Sequence, residues 1–328
     1  MAERVSLFER LFIPPRRPWL PVGAALLLWA IPFVGAALAT APAQLVQSER
    51  WRALLVAPSM ILYIVVVAPP TERAWARVYR ALRPVVLIAD DAYAQLIAAA
   101  MAIWPRRELL AFGVGAALGL LRVSPTVEGM PTWLDVYLLG TTALLFGLLA
   151  WVIYVTVART QVTAGILRAP LAVNPHDIGP FMAIGWQALF LALVFIGGIT
   201  LSLLFSALEP GVFGQLGFWL VYLPIVLAPV AVFFLAMRPT HGVLARAKAR
   251  ELAVVRAELR RAEGQLLAGL AEGQDPGALP ALISALGALE QRLLVARTWP
   301  YNTAMLRTLF VSVLAPAALL LTRKLIGV

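Results

Sequence analysis

Three features of this sequence predict an all-α polytopic membrane helix bundle of about seven spans, N-terminus inside, with a cytoplasmic antiparallel helical hairpin. Hydrophobic residues make up 61% of the chain and charged residues 13%, about half the charged share of an ordinary soluble domain. The apolar residues come in blocks of about 20, the length a helix needs to cross hydrocarbon, rather than scattered periodically around one core. A single long polar interruption, Pro239 to Pro300, precedes the last apolar block.

Composition also excludes function classes. The chain has no cysteine, which removes disulfides, thiolate metal sites and a cysteine nucleophile. Its only histidines are His176 and His241, too few for a multi-histidine metal site, and no cofactor motif is present. A net charge of +10 would suggest nucleic acid in a soluble protein. Here the cations flank the apolar blocks, where retention of positive residues beside anionic lipid accounts for them. The partner this implies is the lipid bilayer, with no nucleic acid.

Taken in order, residues 1–18 read as an amphipathic leader ended by Pro14 and Pro15, and the first span runs from Trp19 to Thr40. Ala39-Thr40-Ala41 mimics a signal-peptide cleavage site. The following Pro42 disfavours cleavage, so the segment is read as a retained anchor. The second span is Trp51 to Pro70, and its tryptophan, like Trp19, suits the membrane interface. Thr71 to Glu108 is rich in arginine. Within it Leu82, Val85, Val86, Ala89, Tyr93, Leu96 and Ile97 recur at helical spacing, predicting an amphipathic helix near 82–104 with Asp90, Asp91 and Gln95 on the other face. Leu109 to Leu121 is only about 13 residues, near 20 Å, and reaches crossing length only past Arg122. Either 82–104 or 109–122 is the third span. If both crossed, an arginine-rich turn would lie outside, against the positive-inside rule.

The later spans are Trp133–Ala158, Phe181–Phe205, Gln215–Ala236 and Ala304–Leu321. Loops rich in proline and glycine, Ser124–Pro131 and Glu209–Gln215, face outward on this reading, and Arg159–Pro180 faces inward. The chain thus divides into a membrane domain at 1–237, a coiled-coil-like cytoplasmic hairpin at 238–300, and a last span with the C-terminus at 301–328. In the hairpin Leu252, Val255, Leu259, Ala262 and Leu266 step by three and four, as do Leu282, Leu286, Leu289 and Leu293. Glu272 to Gly277 between them is turn chemistry, so the helices pack antiparallel. Leu252, Val255, Leu259 and Leu266 are the candidates for self-association.

Polar residues near hydrocarbon are costly and mark function or interface. Asp90 and Asp91 fit cation binding or a proton relay, or else the polar face of a surface helix beside Arg80 and Arg83. His176 beside Asp177 has the makings of a general base, but Asp177 also suits the cap of the next helix. Asp135 and Thr141 form a polar stripe that either lines a pathway or sits at the interface. Gln187 reads as an interhelical hydrogen-bonding group. In the last span Arg307 and Ser312 are polar, and Pro316 permits a kink a gate would use. Gly115 and Gly119 form a small-xxx-small pair for close helix approach.

Thr298-Trp299-Pro300-Tyr301 sits between a heptad-bearing segment and a proline-bearing terminal span. That junction resembles one in uncharacterised prokaryotic multi-span membrane proteins; the likeness covers about the last quarter of the chain and implies a prokaryotic plasma membrane but no biochemistry. The order of elements is also similar to that of insect chemoreceptor channels, a likeness that implies a last span lining a tetrameric pore. The expected function is a non-enzymatic, homo-oligomeric membrane protein of channel or sensor type. The alternatives are an anchored scaffold whose hairpin docks a cytoplasmic protein, and an intramembrane enzyme using Asp90, Asp91 or His176.

Overall fold

The computed structural model describes residues 19–38, 51–101, 105–122, 132–206, 216–273 and 275–326. These form nine helices: α1 (Trp19–Leu38), α2 (Trp51–Leu82), α3 (Asp90–Met101), α4 (Pro105–Arg122), α5 (Thr132–Ile166), α6 (Gly179–Ser206), α7 (Leu216–Ala271), α8 (Leu279–Val295) and α9 (Thr303–Ile326). The fold is an all-α bundle, and β pairing among the described residues is confined to one antiparallel bridge, Val86 with Leu171. Among the described residues four stretches are long and apolar enough to cross a membrane: Leu54–Val85, Trp133–Ile166, Gly179–Phe205 and Leu227–Ala271. Shorter apolar stretches, Trp19–Gly35 and Thr303–Leu314, lie in α1 and α9. The leader and the two loops predicted to face outward fall outside the described residues.

Two helices run further than their prolines predict. α2 continues through Pro69 and Pro70 to Leu82. The ring nitrogens forfeit hydrogen bonds, but Val65 on one side and Trp75, Val78 and Leu82 on the other are buried, and such packing outweighs a local propensity. α7 passes through Pro229 and Pro239 without a break, so the span predicted to end at Ala236 and the first hairpin helix are one rod of 56 residues. The boundary drawn at 237/238 is no interruption of the backbone.

The helix predicted over 82–104 begins instead at Asp90. Arg83 precedes Pro84, a position that disfavours helix, and after a short 3-10 turn the chain extends. Leu87 N–H then donates to Pro170 O (2.9 Å) and Ala172 N–H to Val85 O (2.8 Å). These bonds tie the end of α2 to the segment that follows α5, so α2 and α5 run parallel. Arg83 knots the turn by donating to Val86 O at 3.0 Å, Ile88 O at 3.1 Å and the Asp90 carboxylate. Its guanidinium also lies over the Tyr93 ring, 5.2 Å from the centroid. The Tyr93 hydroxyl donates to Tyr79 O at 2.7 Å; burial raises its pKa, and nearby Arg83 opposes that in part.

α3 has 12 residues and α4 has 18, about 18 and 27 Å at the helical rise. Of the two alternatives for the third span, only α4 approaches crossing length. It lies antiparallel to α5 at glycine contacts: a Cβ on Gly115 would strike the Phe146 carbonyl and Ala150, one on Gly119 would meet Phe146 and Thr142, and the Phe112 ring covers Gly147. Buried Glu108 in its first turn accepts a bond from Trp151 Nε1 of α5 at 3.1 Å.

α6 is the centre of the bundle, packed against α2, α7 and α9. On the α2 side, Gly197 and Gly198 leave room for Tyr63, whose hydroxyl donates to Val194 O at 2.7 Å. On the opposite side Ala188, Leu189, Ala192 and Ile196 form a core with Phe233 and Met237 of α7 and Met305 and Leu309 of α9. Beyond the bundle α8 folds back antiparallel on α7. Lys248 Nζ donates to Leu294 O and Ala296 O, capping the C-terminal end of α8, and Arg256 Nε donates to Glu290 Oε1 at 2.6 Å. In the heptad stripe Val255 and Ala262 are buried and Leu252, Leu259 and Leu266 half-buried, whereas Arg256, Arg260 and Arg261 are exposed. Of the residues predicted for self-association, Val255 is thus buried within the single chain and Leu252, Leu259 and Leu266 keep part of their surface. The hairpin's exposed apolar side chains include Val254, Leu267, Leu270, Leu282, Leu289, Leu294 and Val295.

Overpacking a close helix crossing costs about 1–3 kcal/mol. Gly115→Leu should therefore lower the melting temperature of the purified protein in mild detergent, while Gly113→Leu, where an added Cβ meets nothing, should leave it near wild type. Equal melting curves would show that α4 does not lie on α5 as described.

Candidate functional site

Between α2, α5 and α6 lies a cavity of about 340 Å³, within the range of small-molecule sites. Its walls are apolar for most of its length: Ile64 and Val67 from α2, Val152 and Val155 from α5, Val194 and Phe195 from α6. Along α5 it extends from Leu149 to Arg159, about 15 Å at the helical rise. Met60, Gly198 and Ser202 lie towards one end and Glu72, Trp75, Arg159 and Leu191 towards the other.

The second end is charged. Arg159 Nη1 lies 2.5 Å from Glu72 Oε1. The Arg159 side chain is 4% exposed and that of Glu72 31%, so the cation is enclosed while the carboxylate reaches towards the surface. Both positions follow from the helix extensions, because Glu72 lies beyond Pro70 and Arg159 beyond Ala158, past both predicted span ends. Arg159 O in turn accepts a bond from the Thr163 hydroxyl at 3.2 Å. A buried charge persists only when paired, and this pair gives a mostly apolar chamber one charged pole.

α6 joins the chamber to the root of the hairpin. One face carries Leu191, Val194, Phe195 and Gly198 into the cavity wall. On another, a Cβ at Gly185 would collide with the Pro300 carbonyl oxygen, so only glycine admits the Thr298–Tyr301 junction there. Trp299 stacks on His241 of α7 with ring centroids 4.1 Å apart and 10° between planes. His241 Nδ1 lies 3.2 Å from Thr298 O, and Tyr301 meets Phe233 and Phe234. Asn302 Oδ1 accepts the Met305 N–H at 2.8 Å and starts α9.

The residues singled out from sequence are not gathered at this chamber. Asp90 and Asp91 are exposed in the first turn of α3, with Asp90 paired to Arg83. Asp177 Oδ1 accepts the Gly179 N–H at 3.0 Å and caps α6, and His176 is exposed beside it. Asp135 is at the opposite end of α5, about 46 Å along the rod from Ile166, so these groups do not converge. The Thr141 hydroxyl is buried and donates to Tyr137 O at 2.8 Å on its own helix. Arg307 is exposed and Ser312 half-buried on α9; Pro316 lies within that helix, its side chain outside the described residues. Gln187 comes nearest: it is 5% exposed, its Nε2 finds no hydrogen-bond partner among the described residues, and it sits one turn from Leu191 on α6. The missed pair, Glu72 and Arg159, left a trace in sequence. Trp75, Val78, Tyr79 and Leu82 keep helical spacing past the prolines, which carries Glu72 along on the same helix.

Breaking a buried pair by removing one partner costs up to about 3–5 kcal/mol, whereas replacing both charges with apolar groups is often neutral. Because Glu72 is partly exposed, Glu72→Gln should cost less than that range but still lower the melting temperature measurably. The double variant Glu72→Met/Arg159→Met should recover most of the loss. No family model matches the chain, and neither a curated protein nor a solved structure shows significant similarity to it.

Proposed function

We propose that the protein is a non-enzymatic, multi-pass sensor of a prokaryotic plasma membrane. An occupant of the α2–α5–α6 chamber alters how α6 seats the cytoplasmic hairpin. The observation that carries this reading is the double duty of α6, one face lining the chamber and another holding the hairpin root at Gly185. Packed helices shift as units rather than deforming continuously, so a change in the chamber reaches Trp299 and His241 through a single rigid element.

The topology follows from charge. A shared core of α2, α5, α6 and Leu244 of α7 gathers the ends of these helices on one side of the bundle. Exposed Arg73, Arg77, Arg80 and Arg168 are near that core, as is the start of the hairpin. The positive-inside rule puts this side in the cytoplasm. With α4 as the third crossing, α1, α2, α4, α5, α6, α7 and α9 make up the seven spans. Exposed Phe310, Val311 and Leu314 on α9 favour assembly of several copies through that helix, which also keeps open a second reading in which α9 lines an ion pathway. Hairpin residues Leu267, Leu270 and Leu282, exposed in the single chain, suit a docked cytoplasmic protein as the receiver of the signal.

Filling the chamber from α5, which does not carry the hairpin, tests the sensor reading. Val152→Trp should change amide hydrogen exchange at the hairpin root, residues 241–250 and 296–302, while the protein stays folded. Unchanged exchange there in a folded variant would refute the coupling. Ion flux into liposomes containing the protein would favour the channel reading instead.

A further inference from the structure

We infer that the chamber takes a single-chain amphiphile with an anionic head, whose head group replaces the Glu72 carboxylate on Arg159. The inference rests on the sensor reading above for its purpose, but its evidence is the chemistry of the chamber itself. The cavity is elongated, about 15 Å along α5, which fits an extended alkyl chain of roughly a dozen carbons at tetrahedral geometry. Away from the pole its walls are mostly apolar, the hydroxyl-bearing Tyr63 and Ser202 being set among aliphatic side chains, and a long unbranched chain is the ligand that buries most surface in such a slot.

The pole selects the charge. Arg159 is enclosed, and a guanidinium stays cationic at any physiological pH and presents a fork suited to carboxylate or phosphate. An anion must therefore accompany it whether or not a ligand is present. Glu72 supplies that anion in the free protein, yet it is the more exposed partner, 31% against 4%. An incoming carboxylate or phosphate can take its place while Glu72 turns towards the surface, and the pole keeps its neutrality throughout. A cationic head would instead have to stand beside the enclosed guanidinium. Trp75 is at the same end of the chamber and Trp151 lines its side, so an occupant comes within contact distance of both indoles.

The test uses the full chain in phosphatidylcholine nanodiscs and a terminally brominated dodecanoate as probe, since bromine quenches indole fluorescence on contact. With the head on Arg159 the terminal bromine falls near Trp151, about 12 Å along α5 from the pole, so saturable quenching is expected and should disappear in Trp151→Phe. Dodecyl phosphate should compete with the probe and dodecyltrimethylammonium should not; the better competitor of dodecanoate and dodecyl phosphate separates a fatty acid from a phosphate-headed lipid. Glu72→Gln should bind the probe about fivefold more tightly, the equivalent of about 1 kcal/mol, and its lowered melting temperature should be restored by dodecanoate but not by the ammonium. Glu72→Met/Arg159→Met, which removes both charges, should bind at least tenfold more weakly. Equal competition by the ammonium, or undiminished binding to that double variant, would overturn the inference. Either result would leave a chamber that binds chains without regard to head group, and the hairpin coupling would still be judged by Val152→Trp.

Discussion

The close approach of the Pro300 carbonyl to the α6 backbone at Gly185 fixes where the hairpin and the last helix leave the bundle. Around it the rest falls into place by elementary packing. Trp299 stacks on His241, Tyr301 wedges against Phe233 and Phe234, and Asn302 starts α9, so four consecutive residues are each held by a different physical contact. The missing side chain at one position of α6 makes this possible. Because α7 is continuous through the same level, the hairpin is a direct extension of the bundle, braced at its root by the junction and along its length by Lys248 and Arg256.

The second constraint is electrostatic. Helices α2 and α5 end in parallel on one side of the molecule, bridged by Val86 and Leu171. At that end Glu72 and Arg159 meet inside an apolar wall. The pair does little for stability that well-packed apolar residues would not also do. What it adds is charge at one end of a chamber whose lining carries no charged side chain elsewhere, and so a direction along which an amphiphile can lie. The glycine-mediated packing of α4 on α5 backs this wall, and Glu108 holds Trp151 from the far side.

Much of this was legible in the amino-acid sequence. Blocks of about 20 apolar residues predicted the long helices, Gly115 and Gly119 marked a close crossing, and the heptads with Glu272–Gly277 predicted an antiparallel hairpin. What misled was punctuation. Pro69, Pro70 and Pro239 look like helix ends to local propensity, yet burial on both sides of them carries the helices through. In contrast, Arg83-Pro84 does end a helix, because the chain beyond it finds a bridging partner at Pro170–Ala172. Those two outcomes could not be told apart without the tertiary contacts. The site suffered most from this. With spans ending at Pro70 and Ala158, Glu72 and Arg159 read as loop charges, and the carboxylates that stand out in the sequence are Asp90, Asp91 and Asp135, which the fold leaves apart. In the heptad stripe Val255 and Ala262 are buried within the single chain, in the helix against which α8 packs.

The central claim is that the hairpin takes its position from α6 through Gly185. The absence of native cysteine makes spin labelling direct. With labels on cysteines introduced at the exposed positions Leu87 and Leu267, pulsed electron resonance should give one narrow distance distribution in the otherwise native chain. Adding Gly185→Ala should shift or broaden that distribution by several ångströms while the helix content is retained. An unchanged distribution in the folded variant would contradict the account, because it would mean that the hairpin is positioned by α7 alone.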